Sequence, residues 1–242
     1  MRAKTTVLNM DLVYVPADQI SLPPTMTPAT ATDMSSTPPA AIAAPPMTPA
    51  LKEWAVAVEA LIQGSTVLLL RKGGIREQGG SFVVEQSQVL LYPTYEHQQP
   101  ALLKPTYAQQ VTPVASGWHP PSVQLRAWAD ITHVFQITQA EALATLLPLH
   151  IWNQQFAAER WRWKPRQPLY GLALRVHLLT PPQEIPYRSE YGGCKSWIGV
   201  PLAEFTGESR SCFEPAPVLN DLEYSQRVHQ IQQALQSAQP GS

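Results

Sequence analysis

The stretch Tyr92-Pro93-Thr94-Tyr95-Glu96-His97-Gln98 is the densest polar cluster in the chain, and it directly follows an apolar run with strand character. Loops that leave strands are common seats of function. Glu96 and His97 are of the types that act as general base and orienter, or as metal ligands. Adjacent side chains commonly diverge, so a hydrogen-bonded loop with no chemistry is the competing reading. His150 is the other candidate acid–base group; its apolar neighbours equally suit a satisfied core histidine. Were it to face His97, the pair together with Glu77, Glu96 or Glu190 would form an acid–base or metal site. No compact ligand spacing such as HExxH accompanies them, so no metal site is assigned.

Cations cluster in two further blocks. Arg71-Lys72-Gly73-Gly74 ends a buried-strand pattern, where glycine amides and two cations can converge on an anion. It lacks the GxxxxGK[ST] spacing of a P-loop, and a plain glycine turn is the alternative. Arg160, Arg162, Lys164 and Arg166 alternate with Trp161, Trp163 and Pro165. Aromatics between cations can stack on bases while the cations hold phosphates. A helix C-terminus also attracts cations with no ligand present.

YRSEYGGCKSW, residues 187–197, combines Arg188, Glu190 and Lys195 with a glycine pair and Cys194. Gly192-Gly193 predicts a tight turn with a residue at positive φ. Arg188, Glu190 and Lys195 can wall a ligand site. A small buried cysteine is the preferred reading of Cys194 over a nucleophile activated by nearby cations.

Elements must position these groups. Thr48-Pro49 followed by Leu51, Trp54, Ala55, Val58, Leu61 and Ile62 predicts an amphipathic helix closed by Gly64. Residues 66–70, 81–84, 88–92, 123–137, 169–179 and 195–200 read as strands. Thr138-Gln-Ala-Glu141 has the capping-box pattern for a helix to Leu147. A second helix is expected over Leu149–Trp163, and a last one from Asp221 with Tyr224, Val228, Ile231 and Leu235 on one stripe. The mixture lacks a βαβ rhythm and predicts an α+β domain with a central sheet and flanking helices. Its expected span is 49–237, with a short disordered end at 238–242. Residues 16–49, dominated by Pro, Ala, Thr and Ser without aromatics, predict a flexible linker, and the N-terminal region of arm and linker is set at 1–48 where the folded domain begins. The apolar segment 5–15 reads as an arm ordered on the domain edge, a docking peptide for a protein partner, or a stub.

Seventeen basic residues stand against 18 acidic ones, which excludes a uniformly basic coat for nucleic acid. The balance is uneven: Ala158–Lys195 holds seven Lys/Arg and three Asp/Glu, so a local basic side is expected. No apolar run approaches the roughly 20 residues of a membrane span, and no signal peptide is read at the start. Two cysteines make no disulfide framework. A cytoplasmic location follows as the expectation, with no membrane partner.

The blocks WAVAVEAL, LLLRKGGIRE, LLYPTYEHQ, LLKP, HIWNQQF, RWRWKP and YGGCKSW, in this order, resemble a bacterial family catalogued as domain of unknown function 1802, over roughly residues 50–235. That resemblance implies no activity, and no cofactor can be named from it. The start of the RKGG block is superficially similar to Nudix hydrolases, but their glutamate-rich helix does not follow.

The function expected from the residues is binding of a phosphate-bearing ligand, nucleic acid or nucleotide, in a polar, locally basic cleft. Arg71, Lys72, Arg162, Lys164 and Lys195 would hold phosphates, Arg188 and Glu190 would complete the wall, and Trp161 or Trp163 would stack. The alternatives are a phosphodiester hydrolase using Glu77, Glu96, His97 and His150 as acid, base or metal ligands, and a non-catalytic module docking a protein through its N-terminal arm or acidic C-terminal segment.

Overall fold

Strand β1, Met47–Trp54, lies where the sequence predicts the end of the flexible linker and the first turn of a helix. A computed structural model of the chain describes residues 47–72, 76–78, 81–83, 87–165, 168–193, 195–205 and 216–238, with backbone only at 76–78 and 81–83. The N-terminal arm, the linker up to residue 46, Gly73-Gly74, the Glu77 side chain, Arg166, both cysteines and the chain end at 239–242 lie outside the described residues. β1 passes directly into α1, Ala55–Ile62. Then come β2 (Leu68–Arg71), β3 (Arg76–Gln78), β4 (Ser81–Val83) and β5 (Gln88–Thr94). Helix α2 is a single turn at Pro105–Ala108. Long β6 (Ser122–Ile137) precedes α3 (Ala142–Leu146) and α4 (Gln154–Arg162). Long β7 (Leu169–Pro186), β8 (Trp197–Pro201) and α5 (Asp221–Ser237) complete the order.

Six strands form one sheet in the order β2-β7-β6-β5-β1-β8, and β3-β4 is a separate hairpin. β1 and β5 are parallel; every other neighbouring pair is antiparallel. With helices packed on this mixed sheet, the fold is α+β, as expected. Alternation sorts β5 between two cores: Val89 and Leu91 join the large layer with the helices, Leu90 and Tyr92 a smaller one on the opposite face. The β6–β7 ladder shifts register between Leu125 and Ala127 and again between Ile131 and His133. Such irregularities bend and twist a ribbon. Although three strands separate β2 from β1 in the order, Arg71 at the end of β2 forms an ion pair with Glu53 of β1 at 2.7 Å. The sheet therefore curls until its β2 edge meets β1.

Three local expectations are corrected. Leu51–Trp54 is strand because β5 pairs with β1 from Ala50 to Trp54, while β8 pairs with its first part, Met47 to Leu51, on the other side; a short apolar run fits either period. The Thr138/Glu141 capping box does not form: Glu141 itself stands at the N-cap of α3 without a side-chain cap bond. The helix predicted from Leu149 starts five residues later. Pro148 sits in a 3₁₀ turn, Trp152 bridges to Leu103, and Asn153 caps α4 by accepting from the Phe156 amide at 3.1 Å. The last helix follows the expected stripe, with Tyr224, Val228 and Ile231 buried, and a capping box of Asn220 and Glu223 starts it.

Candidate ligand-binding cleft

β1 and β5 finish side by side, Trp54 opposite Thr94. β8 starts at that same end beside Leu51, where β6 also begins and β7 stops, Ser122 opposite Pro186. Loops 95–99, 117–121 and 187–196 consequently rise together and enclose a cleft of about 530 Å³. α4 contributes Arg160 to its wall, and Trp163, the residue that ends the helix, joins it there.

Lys52 is the pillar of the floor. Its buried Nζ donates to the Tyr191 carbonyl at 2.5 Å and the Gly193 carbonyl at 2.9 Å, which ties the glycine turn to β1. Gly193 has φ 74°, the positive value expected for this turn. A β-carbon on Gly192 would stand 2.8 Å from the Tyr187 hydroxyl and 3.1 Å from the Ser189 carbonyl oxygen, so a side chain there would have to displace Tyr187. Tyr92 and Tyr191 meet edge to face, centroids 5.7 Å apart. Burial raises both phenol pKa values and keeps these groups neutral.

The walls combine cations with aromatic surface. Arg71 is held by Glu53 and by the Lys52 carbonyl at 3.1 Å. Arg160 stands over the Phe156 ring, 5.0 Å from its centroid, and 5.6 Å from that of Trp163. Lys72 is buried, its Nζ donating to the Trp161 carbonyl at 2.7 Å, and burial lowers its pKa. Lys195 is exposed, 3.3 Å from the Glu190 carbonyl. Trp118, 45 % exposed, meets Tyr95 edge-on, and His119 stacks on Tyr187 at 3.5 Å. Five Lys/Arg side chains thus line the cleft against two glutamates, Glu53 and Glu96, and Glu53 is engaged by Arg71. The cleft is locally positive in a chain of net charge −1.

Glu96 and His97 stand at the rim. His97 has φ 64°, sparsely populated for a residue with a β-carbon. Its Nε2 lies 3.3 Å from Glu96 Oε1, so the adjacent pair shares one side of the loop. The same oxygen accepts from the Gly117 amide at 2.6 Å and the Ser116 hydroxyl at 3.2 Å. The amide bond, foremost, holds the Glu96 carboxyl below its ordinary pKa.

Of the residues singled out from the sequence, Arg71, Lys72, Glu96, His97 and Lys195 line this cleft, and Trp163 joins them. His150 does not share it. Its apolar flanks bury it in the large core beside Trp152, in extended backbone, where its carbonyl accepts from Lys104 Nζ. Burial, then the Lys104 ammonium, push the His150 pKa down to about 4. Arg162 faces a separate groove with Trp161. Lys164 covers the Trp163 ring at 4.4 Å. Arg188 pairs with Glu204, and exposed Glu190 lies outside the cleft lining. Among the described residues, no three His, Cys, Asp or Glu side chains form a group that could hold a metal ion. Sequence reasoning marked Arg160 among the alternating cations without assigning it a phosphate, and missed Lys52, Glu53, Trp118 and His119 as lining residues. The helix assigned to 51–63 concealed the first two; Trp118-His119 before a proline pair was the available signal for the last.

No helix of the described residues is long and apolar enough to cross a membrane. The chain belongs to the family described as Domain of unknown function (DUF1802), whose family model matches residues 50–230. No curated protein gives a significant match. Two single-site variants of the protein ZmASCH from Zymomonas mobilis are among the solved structures similar to it, at 13 % and 12 % identity. Each overlap covers 75 % of this chain and 93 % or 95 % of the other. The TM-score is 0.33 for both, too low to bear on fold or function.

Proposed function

We propose that this member of the family binds a nucleotide unit, free or within nucleic acid, in the cleft above β1 and β5. The observation carrying the proposal is that five cations and several aromatic faces line one cavity of about 530 Å³. Lys195 and Arg160 are the phosphate contacts, and the open face of Trp118 is the stacking platform. A base stacked on an aromatic side chain contributes about 1–3 kcal/mol regardless of sequence, while cations hold the backbone. Lys52 and Arg71 shape the site: their polar groups are already committed to the Tyr191 and Gly193 carbonyls and to Glu53. The test is titration of AMP, UMP and ribose 5-phosphate, read by tryptophan fluorescence at low salt. Both nucleotides should bind, with Trp118→Ala losing roughly tenfold in affinity and Arg160→Gln plus Lys195→Gln losing more. Absence of nucleotide binding, or equal affinity for ribose 5-phosphate, refutes the reading.

The Glu96–His97 contact at 3.3 Å supports a second reading, in which the cleft also hydrolyses a phosphodiester with His97 as the proton-transfer group. Purified protein should then cleave a labelled RNA oligonucleotide, and His97→Gln should abolish cleavage while leaving binding intact. Cleavage unaffected by that change excludes the role of His97.

A further inference from the structure

The end of α4 separates the cleft from a second cavity. Successive helical residues are about 100° apart, so Arg160 and Trp163 share one side, and Trp161 and Arg162 the other. The first pair lines the cleft. The second lines a groove of about 600 Å³ with Gln136, Thr138, Pro165 and Leu169. Lys72 borders both cavities and lies beneath the ridge that divides them, its ammonium on the Trp161 carbonyl. On the ridge, Trp163 is 46 % exposed, with Arg160 and Lys164 against its ring.

We propose that cleft and groove form one track for a single-stranded nucleic acid: one nucleotide occupies the cleft, the chain crosses the Trp163 ridge, and Arg162 holds a phosphate in the groove. The proposal rests on the nucleotide reading of the cleft and adds that the ligand is a strand. The C-terminal end of a helix carries partial negative charge and by itself repels phosphate. Here Lys72 occupies one of its last carbonyls, while Arg160, Arg162 and Lys164 surround it. The dipole accounts for cations gathering at this end. The two-sided arrangement gives them two cavities to serve. Among the described residues Arg162 has no ion-pair partner, whereas Arg188 is committed to Glu204.

The experiment compares AMP with fluorescein-labelled hexauridylate and hexaadenylate on the full chain by anisotropy and competition at several salt concentrations. The hexanucleotides should bind at least tenfold more tightly than AMP. Their dependence of log affinity on log salt should be steeper by about 0.7 for each added phosphate contact. Arg162→Gln should weaken hexanucleotide binding roughly tenfold, the scale of one charged hydrogen bond. It should flatten that slope by one contact and leave AMP affinity unchanged, while Arg162→Lys restores the slope. A melting curve equal to wild type verifies that the variant is folded. Hexanucleotides that bind no better than AMP, or that are indifferent to Arg162→Gln, overturn the track while leaving the nucleotide cleft standing. Failure of AMP and hexanucleotides alike overturns the cleft reading and the track with it.

Discussion

Gly193 and His97 both hold positive φ at the mouth of the cleft, and they differ in what a substitution would meet. A β-carbon on Gly193 has no atom within 4 Å, so the cost of replacing it is conformational. Gly193→Val should lower the unfolding free energy by about 1 kcal/mol or more, measured by urea titration, and Gly193→Asn by less, because asparagine tolerates the left-handed region. His150 carries the clearest pH signature. Its folded pKa of about 4 lies below the ordinary histidine value of 6.5. Between those values the unfolded chain binds the proton that the folded chain excludes. The stability contributed by the neutral ring is therefore complete above pH 6.5 and is lost as pH falls toward 4, up to about 3 kcal/mol. His150→Phe should flatten this part of the pH–stability profile, measured by urea unfolding between pH 4 and 7.5.

At the scale of elements, α4 determines how the cations are shared. It is nine residues long, too short to be stable by propensity alone, and its start is fixed by Asn153. The Asn153 side chain also donates to the Ala101 carbonyl at 2.6 Å, which fastens the helix to the preceding loop. Asn153→Ala should cost about 1–2 kcal/mol in urea unfolding, as losses of good caps do. It should also weaken ligand binding with no contact to ligand removed, because Arg160, Trp163 and Arg162 are carried on the far end of the same helix. Unchanged affinity in a folded Asn153→Ala protein would show that the position of α4 is set by its core contacts instead.

For the molecule as a whole, the decisive contact is the closure of the curled sheet. Arg71 and Glu53 have side-chain exposures of 13 % and 10 %, and they join strands far apart in sheet order. Glu53→Gln leaves the guanidinium confined with the Lys52 carbonyl and without its counter-charge. Removing one partner of a buried pair costs more than the pair contributes. The expected loss is roughly 2 kcal/mol by urea unfolding, toward the low side because the Lys52 carbonyl bond remains. Net charge of −1 makes any attraction for phosphates local to the cleft, so its salt dependence should report individual contacts.

Periodicity by itself determined the α+β class, six of the strands and the last helix, because alternation and the 3.6-residue stripe are properties of contiguous residues. Composition likewise marked the Arg160–Pro165 and Tyr187–Trp197 segments as polar surfaces of interest. Tertiary structure decided what those residues do. Leu51–Trp54 became a strand only because β5 was there to pair with it, and that placed Lys52 and Glu53 in the cleft. Helical rotation assigned Arg160 to one cavity and Arg162 to another, and core burial took His150 from the cleft. Residue types announce available chemistry, but convergence depends on which strand ends the sheet brings together, and that is fixed by contacts between residues distant in the chain.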